Sequence, residues 1–260
     1  MLRRPERRVS VIVCPVTGLD HIDIETCKEL DIKVISLKGE EEFLKKIRAT
    51  AELTIGLMLS LLRKIPKAAE SVNSGIWKRD LYRGNELYSK TIGIIGFGRL
   101  GQIIADYALA FGMKVIVHDV IEDMKHTTKQ FTFMDNLKTL AASSDVISLH
   151  VNYNKKTHHL LDEEFFKSCK PHAYFVNTSR GGIVDEVALL KALEQKWIKG
   201  ATLDVMQGEP NINTDNPLVK YAIENDNIII VPHIGGNTYE SFEKSELFIA
   251  DKLVKHVSCS

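Results

Sequence analysis

An excess of charge of one sign, paired cysteines and long apolar runs are all lacking in this chain. The 34 Lys and Arg residues balance 34 Asp and Glu residues in a chain of 260, so the global charge does not favour nucleic acid or an anionic membrane as a partner. The longest apolar stretch, residues 55–62, is too short to span a bilayer. We therefore expect no nucleic-acid and no membrane partner, and the length allows one large domain or two small ones.

The cysteines and histidines show no spacing typical of a disulfide framework or a metal site. The four cysteines are far apart and form no C-x-x-C pair, at Cys14, Cys27, Cys169 and Cys259. They are interpreted as reduced thiols of a cytoplasmic protein. The adjacent His158 and His159 have no carboxylate or cysteine at ligand spacing, so no metal site is expected. The basic start, residues 1–8, lacks the apolar segment of a signal peptide.

A glycine-rich turn is the most informative feature that is present. The sequence GFGRLG at residues 96–101 follows a short apolar segment, residues 91–95, and precedes apolar positions at helical spacing. Gly112 stands where a helix C-terminal cap is expected, and a second strand, residues 115–117, leads to Asp119. This order predicts a βαβ unit with the glycine turn at its first strand-to-helix corner.

Each glycine of the turn has a separate role in binding a dinucleotide. Gly96 permits the tight turn, Gly98 lets the backbone approach a pyrophosphate, and Gly101 lets the helix pack close to the strand. The helix N-terminus offers N–H groups to the phosphates. Asp119 can accept the ribose hydroxyls and would repel a 2′-phosphate, which favours NAD over NADP. The alternative at this point is a glycine-rich turn in an α/β domain that binds no nucleotide.

Strands and helices alternate after residue 90, which predicts a parallel sheet covered by helices on both faces. Six strands are expected, at residues 92–95, 115–117, 146–149, 174–176, 201–203 and 228–231. A long helix is expected over residues 41–65, with a possible break near Ala49, then an irregular loop over 71–90. Polar residues follow most of the strands, at the edge where parallel sheets bind ligands. For one of them, His150, a structural role is favoured.

Four motifs of this sequence resemble the D-isomer-specific 2-hydroxyacid dehydrogenase family, which includes D-3-phosphoglycerate dehydrogenases. They are GFGRLG at 96–101, NTSRGGIVD at 177–185, LDVMQGEP at 203–210 and VPHIGG at 231–236. The motifs occur in family order and at family-like spacing. The resemblance extends from about Val9 to Glu240, and it implies an oxidoreductase that transfers a hydride between NAD and a small 2-hydroxy or 2-keto acid.

The resemblance also implies the roles of individual residues. His233 would be the general acid and base, Glu209 its carboxylate partner and Arg180 the group that holds the substrate. These residue types suit the reaction, because an imidazolium can protonate a ketone near neutral pH and a guanidinium can pair with a carboxylate. The backbone of Val16, Thr17 and Gly18 would bind the substrate carboxylate. Contacts to NAD would come from Gly96, Gly98, Arg99, Leu100, Gly101, Asp119, Thr178, Ser179, Asp204, Gly235 and Gly236.

The expected fold is a Rossmann-type, doubly wound parallel sheet with a truncated flavodoxin-like substrate domain. Residues 1–48, together with 240–260, would form the remnant of the substrate domain. Residues 49–239 would form the NAD-binding domain, including a linking helix at 49–65. That helix is apolar all round, and family members commonly dimerise through this domain, so a homodimer is expected. A fragment, a misplaced start and a true short form are all consistent with the truncation.

Two functions from different classes are consistent with this sequence. The first is an NAD-dependent D-2-hydroxyacid dehydrogenase, indicated by Arg180, Glu209 and His233 beside a nucleotide motif. The second is a non-catalytic NAD-binding or scaffolding module, favoured by the incomplete substrate domain.

Overall fold

A computed structural model describes residues 9–121 and 131–258 of the chain. The chain divides into two compact units, one formed by Thr50–Gly235 and the other by Met1–Ala49 together with Gly236–Ser260. The basic residues 1–8 and Cys259 lie outside the described residues. The other three cysteines are buried and free, and burial raises the pKa of the Cys169 thiol to about 12.

Helices and strands alternate along most of the chain. In chain order they are β1 (Val11–Cys14), α1 (Ile24–Glu29), β2 (Lys33–Ser36), α2 (Glu41–Leu44), α3 (Ala49–Leu62), α4 (Ile65–Asn73), β3 (Thr91–Ile95), α5 (Arg99–Ala110), β4 (Lys114–His118), β5 (Thr132–Phe133), α6 (Leu137–Ser143), β6 (Val146–Leu149), α7 (Glu163–Lys167), β7 (Tyr174–Asn177), α8 (Glu186–Glu194), β8 (Gly200–Leu203), α9 (Pro217–Glu224), β9 (Ile228–Ile230) and α10 (Tyr239–Ser258). No helix among the described residues is long and apolar enough to cross a membrane.

The larger unit contains a seven-stranded parallel sheet with the strand order β5-β4-β3-β6-β7-β8-β9. Within this unit the first strand is β3, an inner strand of the sheet; the chain adds β4 and β5 outward on one side, and then returns through β6 to build the other side. The order therefore reverses between β3 and β6, and the crevice at such a switch point is where open α/β sheets bind ligands. All six predicted strands are present, and the short β5 is an additional one.

The sheet is covered on both faces, which explains why its strands are continuous apolar runs. Successive side chains of a strand point to opposite faces. Val146 and Val176 accordingly belong to one core cluster, whereas Ile147 and Phe175 belong to the other. Helix α3 packs into the first of these clusters, where Met58 is fully buried.

The prediction of one helix over residues 41–65 is wrong, whereas the break expected near Ala49 is present, because α2 ends at Leu44 and α3 begins at Ala49. The structure has α2 and α3 there, and a third helix, α4, begins at Ile65. Lys64 adopts a left-handed conformation with φ of 54°, which ends α3 because a regular helix needs negative φ. Pro66 occupies the first turn of α4, where its missing N–H costs no hydrogen bond. The irregular loop is correspondingly shorter, because α4 extends to Asn73.

The smaller unit is built on two parallel strands, β1 and β2. Helix α10 packs on them through Ile249, which joins Ile35 in a small apolar cluster. The rings of Phe43 and Phe248 stack with centroids 4.0 Å apart, and Lys252 forms an ion pair with the carboxylate of Glu40. These contacts join the first and last segments of the chain in one unit.

Candidate active site

The glycine turn between β3 and α5 has two glycines that the fold requires and one that it does not. Gly96 has φ of +90°, and a Cβ there would lie 2.5 Å from the carbonyl oxygen of His150. A Cβ on Gly101 would lie 2.2 Å from the carbonyl oxygen of Gly96. Gly98 has φ of −71°, and a Cβ there would meet no protein atom within 4 Å. The space beside Gly98 therefore suits an external group, as the pyrophosphate of a dinucleotide requires.

Helix α5 begins directly after this space. Its first two residues are Arg99 and Leu100, and its N-cap is Gly98, which has no side chain that could cap the helix. The first N–H groups of a helix have no acceptor within the helix and carry the positive end of its dipole. The turn and the helix start together fit a bound diphosphate.

Asp119 follows β4 and is tied to the glycine turn. Its Oδ2 accepts a hydrogen bond from the backbone N–H of Phe97 at 2.7 Å, and its Oδ1 accepts one from Ile121 at 2.9 Å. A carboxylate has about four lone-pair positions, so two further hydrogen bonds to ribose hydroxyls remain possible. The sequence did not reveal that Asp119 also holds the turn in place.

The loop after β7 carries Arg180 and is organised by Asn177, whose role the sequence analysis missed. The buried Asn177 accepts a hydrogen bond from the N–H of Ser179 at 2.9 Å and donates one to the carbonyl oxygen of Arg180 at 3.1 Å. The hydroxyl of Ser179 donates to the carbonyl oxygen of Leu149 at 2.7 Å. The guanidinium of Arg180 donates to the carbonyl oxygen of Ser179 at 2.8 Å. The loop that presents Arg180 is thus fixed at several points.

Thr178, a predicted cofactor residue, is paired with a hydroxyl of helix α3. Its Oγ1 lies 2.9 Å from Oγ1 of Thr54, and both side chains are buried. The hydroxyl of Thr54 donates to the carbonyl oxygen of Thr50 at 2.7 Å, so Thr178 is the donor between the two threonines. The lone pairs of the Thr178 oxygen then remain as acceptors for an N–H donor such as a carboxamide.

Asp204 directly follows β8 and holds the loop that carries His233. Its carboxylate accepts the N–H of Ile234 at 2.6 Å and that of Gly235 at 2.9 Å, and its carbonyl oxygen accepts the N–H of His233 at 2.8 Å. Burial raises the pKa of Asp204, and the negative charge of Glu209 raises it further, whereas the two N–H groups and His233 lower it. These bonds keep His233 in the left-handed region with φ of 53°, which is costly for a residue with a side chain.

The side chains of His233 and Glu209, which the family resemblance pairs, are in hydrogen-bond contact. Nδ1 of His233 lies 2.8 Å from Oε1 of Glu209, and the two side chains are 46% and 30% exposed. Because Nδ1 is engaged by the carboxylate, the other ring nitrogen, Nε2, is left for a reacting group. Both residues follow strands at the same edge of the sheet, as the glycine turn does.

The loops after β7 and β8 are in direct backbone contact. A Cβ on Gly181 would lie 2.1 Å from the carbonyl carbon of Met206 and 2.2 Å from the nitrogen of Gln207. Only glycine allows this approach. It joins the loop of Arg180 to the loop of Glu209.

The other predicted residues belong to the smaller unit. Val16, Thr17 and Gly18 follow β1 in the smaller unit, where the carbonyl oxygen of Val16 accepts the N–H of Leu37 at 3.2 Å. Gly236 also belongs to that unit. Their binding roles stay predictions.

Three of the other histidines contact neighbouring side chains. Burial lowers the pKa of His150 to about 4, and its Nε2 lies 2.7 Å from Oγ of Ser148. The rings of His158 and His159 stack at 3.9 Å. Within residues 9–121 and 131–258, no group of three or more His, Cys, Asp or Glu side chains could hold a metal ion.

Comparisons with known proteins identify the family of this chain. Residues 55–235 match the family profile "D-isomer specific 2-hydroxyacid dehydrogenase, NAD binding domain". The glyoxylate reductase of Thermococcus litoralis is 37% identical over 254 residues, which cover 95% of this chain and 73% of that protein. The D-3-phosphoglycerate dehydrogenase of Methanocaldococcus jannaschii is also 37% identical, but the match covers 45% of its length.

Solved structures give the same result. The D-lactate dehydrogenase of Aquifex aeolicus, in complex with NAD and lactic acid, superposes with a TM-score of 0.82 and 33% identity. That match covers 96% of this chain and 77% of the other. The predicted Rossmann-type fold, the NAD cofactor and the oxidoreductase class are confirmed, and the scaffold alternative gains no support. The chain belongs to the D-isomer-specific 2-hydroxyacid dehydrogenases, enzymes that use NAD to interconvert small 2-hydroxy and 2-keto acids.

Proposed function

We propose that this protein reduces a small 2-keto acid to the D-2-hydroxy acid, with His233 as general acid and Arg180 as the group that holds the substrate. The observation that carries the proposal is the 2.8 Å contact between Nδ1 of His233 and Oε1 of Glu209. The pair is partly open to solvent and lies at the sheet edge that carries the glycine turn. In the reverse direction His233 is the general base.

His233 and Glu209 have different roles in the proton transfer. In the imidazolium, Nδ1–H donates to Glu209, and Nε2–H can donate to the ketone oxygen of the substrate as that oxygen becomes a hydroxyl. Glu209 stabilises the charged ring and fixes its orientation, so that Nε2 is the nitrogen that exchanges the proton. One proton from His233 and one hydride thus convert the ketone to a secondary alcohol, and solvent reprotonates the imidazole.

Arg180 and the loop at 16–18 would bind the substrate carboxylate. A guanidinium presents a planar set of N–H donors that matches a carboxylate, and it also polarises an adjacent ketone. The backbone N–H groups of Val16, Thr17 and Gly18 would supply further donors. We assign residues 1–48 with 240–260 to the substrate domain and residues 49–239 to the NAD-binding domain.

The residues that would hold NAD are those that the family resemblance indicates. Gly96, Gly98 and Gly101, with the N–H groups of Arg99 and Leu100, would hold the pyrophosphate. Asp119 would accept the ribose hydroxyls. We assign five residues to the nicotinamide side, Thr178, Ser179, Asp204, Gly235 and Gly236. When bound, the cofactor supplies the hydride.

The test is NADH oxidation with glyoxylate, pyruvate, hydroxypyruvate and 3-phosphohydroxypyruvate, measured for the wild type and for His233→Ala. We expect turnover to fall by about 10² to 10⁴ in the variant, with the dissociation constant of NADH changed less than about twofold. His172→Ala is the matched control, because His172 precedes β7 at the opposite edge of the sheet. Equal turnover of wild type and His233→Ala would refute the assignment, and NADH binding without turnover on any acid would support a scaffold.

We also propose that the protein is a cytoplasmic homodimer. The apolarity of α3 no longer supports a dimer, because its burial in the core of its own unit accounts for it. Support comes instead from Trp77, Leu81 and Tyr88, which are 85%, 60% and 72% exposed in the segment before β3. Sedimentation velocity should show a dimer that Trp77→Glu weakens, and a monomer at all concentrations would contradict the proposal.

A further inference from the structure

The catalytic role proposed for His233 depends on a segment without regular secondary structure. Glu209 lies between β8 and α9, beside Gly208, which has φ of +89°. A carboxylate on such a segment can rotate away from its partner unless something else fixes the backbone. The groups that hold this segment therefore decide whether Glu209 faces Nδ1 of His233.

Glu186, the first residue of α8, holds this segment from one side. Its Oε1 accepts a hydrogen bond from the backbone N–H of Gln207 at 2.5 Å. The side chain of Gln207 is also held, because its Oε1 lies 3.3 Å from Nε2 of His159. Gln207 is thus held at its backbone and at its side chain, two residues before Glu209.

The charges around Glu186 are of both signs. Burial raises the pKa of its carboxyl, and the charges of Asp185 and Glu209 raise it further, whereas the N–H of Gln207 and the ring of His159 lower it. The N-terminus of α8 also favours a negative charge. A charged acceptor makes a stronger hydrogen bond to an N–H group than a neutral one. A carboxylate at this position therefore binds the N–H of Gln207 more strongly than a neutral acceptor would.

We propose that Glu186 is a positioning residue for the acid–base pair, which fixes Gln207 and thereby keeps Glu209 against Nδ1 of His233. This inference rests on the proposed function of His233 and Glu209. Gln207 is exposed, so water can replace Glu186 as the acceptor of its N–H. Loss of Glu186 should therefore cost little stability and should appear instead in the geometry of the pair.

The experiment compares Glu186→Ala with Glu186→Gln, which keeps an acceptor oxygen at the same reach. Glu194→Ala is the matched control, because it removes an exposed carboxylate from the other end of α8. We expect Glu186→Ala to lower kcat by roughly ten- to a hundredfold, to leave the NADH dissociation constant within about twofold, and to change the melting temperature little. Glu186→Gln should retain most of the activity. Glu186→Ala made in the Glu209→Gln variant should lower kcat little below that of Glu209→Gln alone, because both residues act through the same pair.

A second measurement does not require turnover. Long-range ¹H–¹⁵N spectra of the imidazole rings report which nitrogen carries the proton, and the signals of His233 are assigned by their loss in His233→Ala. We expect the Nδ1–H tautomer in the wild type, in Glu186→Gln and in Glu194→Ala. In Glu186→Ala the population should shift toward Nε2–H.

The outcomes separate this inference from the proposed function. Wild-type tautomer populations in Glu186→Ala would overturn the inference, and so would an unchanged kcat or a loss equal to that in Glu194→Ala. If His233→Ala is as active as the wild type, the proposed function fails, whereas the spectra still decide whether Glu186 positions the pair. If Glu186→Ala does not fold, Glu186→Asp serves in both measurements, because its carboxylate is one methylene too short to reach Gln207.

Discussion

Gly96 and Gly98 of the glycine turn should respond differently to the same substitution. A methyl group on Gly98 meets no protein atom within 4 Å, whereas one on Gly96 would lie 2.5 Å from the carbonyl oxygen of His150. Gly98→Ala should therefore fold normally and lose affinity for NADH, because the methyl group occupies space reserved for the pyrophosphate. Gly96→Ala should lose stability itself.

The magnitudes follow from the backbone conformations. At Gly96, a non-glycine residue with positive φ costs about 1–2 kcal/mol, and the contact with the His150 oxygen brings the total to about 3 kcal/mol or more. With about 2–4 °C per kcal/mol for a protein of this size, the melting temperature should fall by about 6–12 °C. At Gly98, alanine fits the backbone and should change stability by less than about 1 kcal/mol. A loss of about 1.4 kcal/mol in binding raises the NADH dissociation constant about tenfold.

The assay combines thermal melts with NADH fluorescence titrations. Gly56→Ala is the matched control, because this glycine lies within α3 and a Cβ there would also meet no atom within 4 Å. It should gain up to about 1 kcal/mol from helix propensity, with an unchanged NADH dissociation constant. Wild-type affinity for NADH in Gly98→Ala would refute the inference that the space beside Gly98 holds the cofactor.

Two further predictions concern polar contacts within the larger unit. Burial raises the pKa of Asp145, but the N–H of Thr91 and the ammonium of Lys170 outweigh this effect and lower the pKa below its usual range. The stability that the carboxylate contributes is therefore present above its unfolded-state pKa. It is lost as the pH falls through the folded-state pKa. Asp145→Asn should lower the free energy of unfolding by about 1–3 kcal/mol at pH 7. Urea titrations should show that this difference between wild type and variant becomes smaller in acid. A difference that does not depend on pH would contradict the reasoning. Thr54→Val removes the hydroxyl that accepts from Thr178, so the NADH dissociation constant should rise several-fold while Thr54→Ser retains affinity, and equal titration curves for the two variants would count against this role.

The parts of the fold that depend on neighbouring residues could be predicted from the sequence. The strand before GFGRLG and the helix after it are visible as apolar segments, and Gly112, with φ of +71°, ends that helix as expected. The break after α3 was missed because it depends on the left-handed Lys64, and nothing in lysine itself favours that conformation. The strand β5 was missed because it has only two residues, too few for a periodic pattern.

The contacts that hold the site together were not predictable in the same way. Thr54 and Thr178 are 124 residues apart in the chain, and Glu186 and Gln207 are 21 apart. Each pair meets because a helix and a loop that are distant in sequence lie side by side in the folded unit, which a single sequence does not encode as a spacing. The sequence therefore indicated which residues to propose as reacting groups, but not which residues hold them in place.

The aspartates of this site illustrate why a role in fixing a loop and a role in binding the cofactor are difficult to separate. Asp204 is interpreted as a cofactor residue, yet both of its carboxylate oxygens accept N–H groups of the loop that carries His233. Asp119 likewise binds the N–H of Phe97 within the glycine turn. A substitution at either aspartate removes a possible cofactor contact and also releases a loop, so lost activity alone does not identify the contact. For Asp204 the two effects separate by measurement, because release of the loop acts on the proton transfer through His233, whereas a lost cofactor contact acts on NADH affinity.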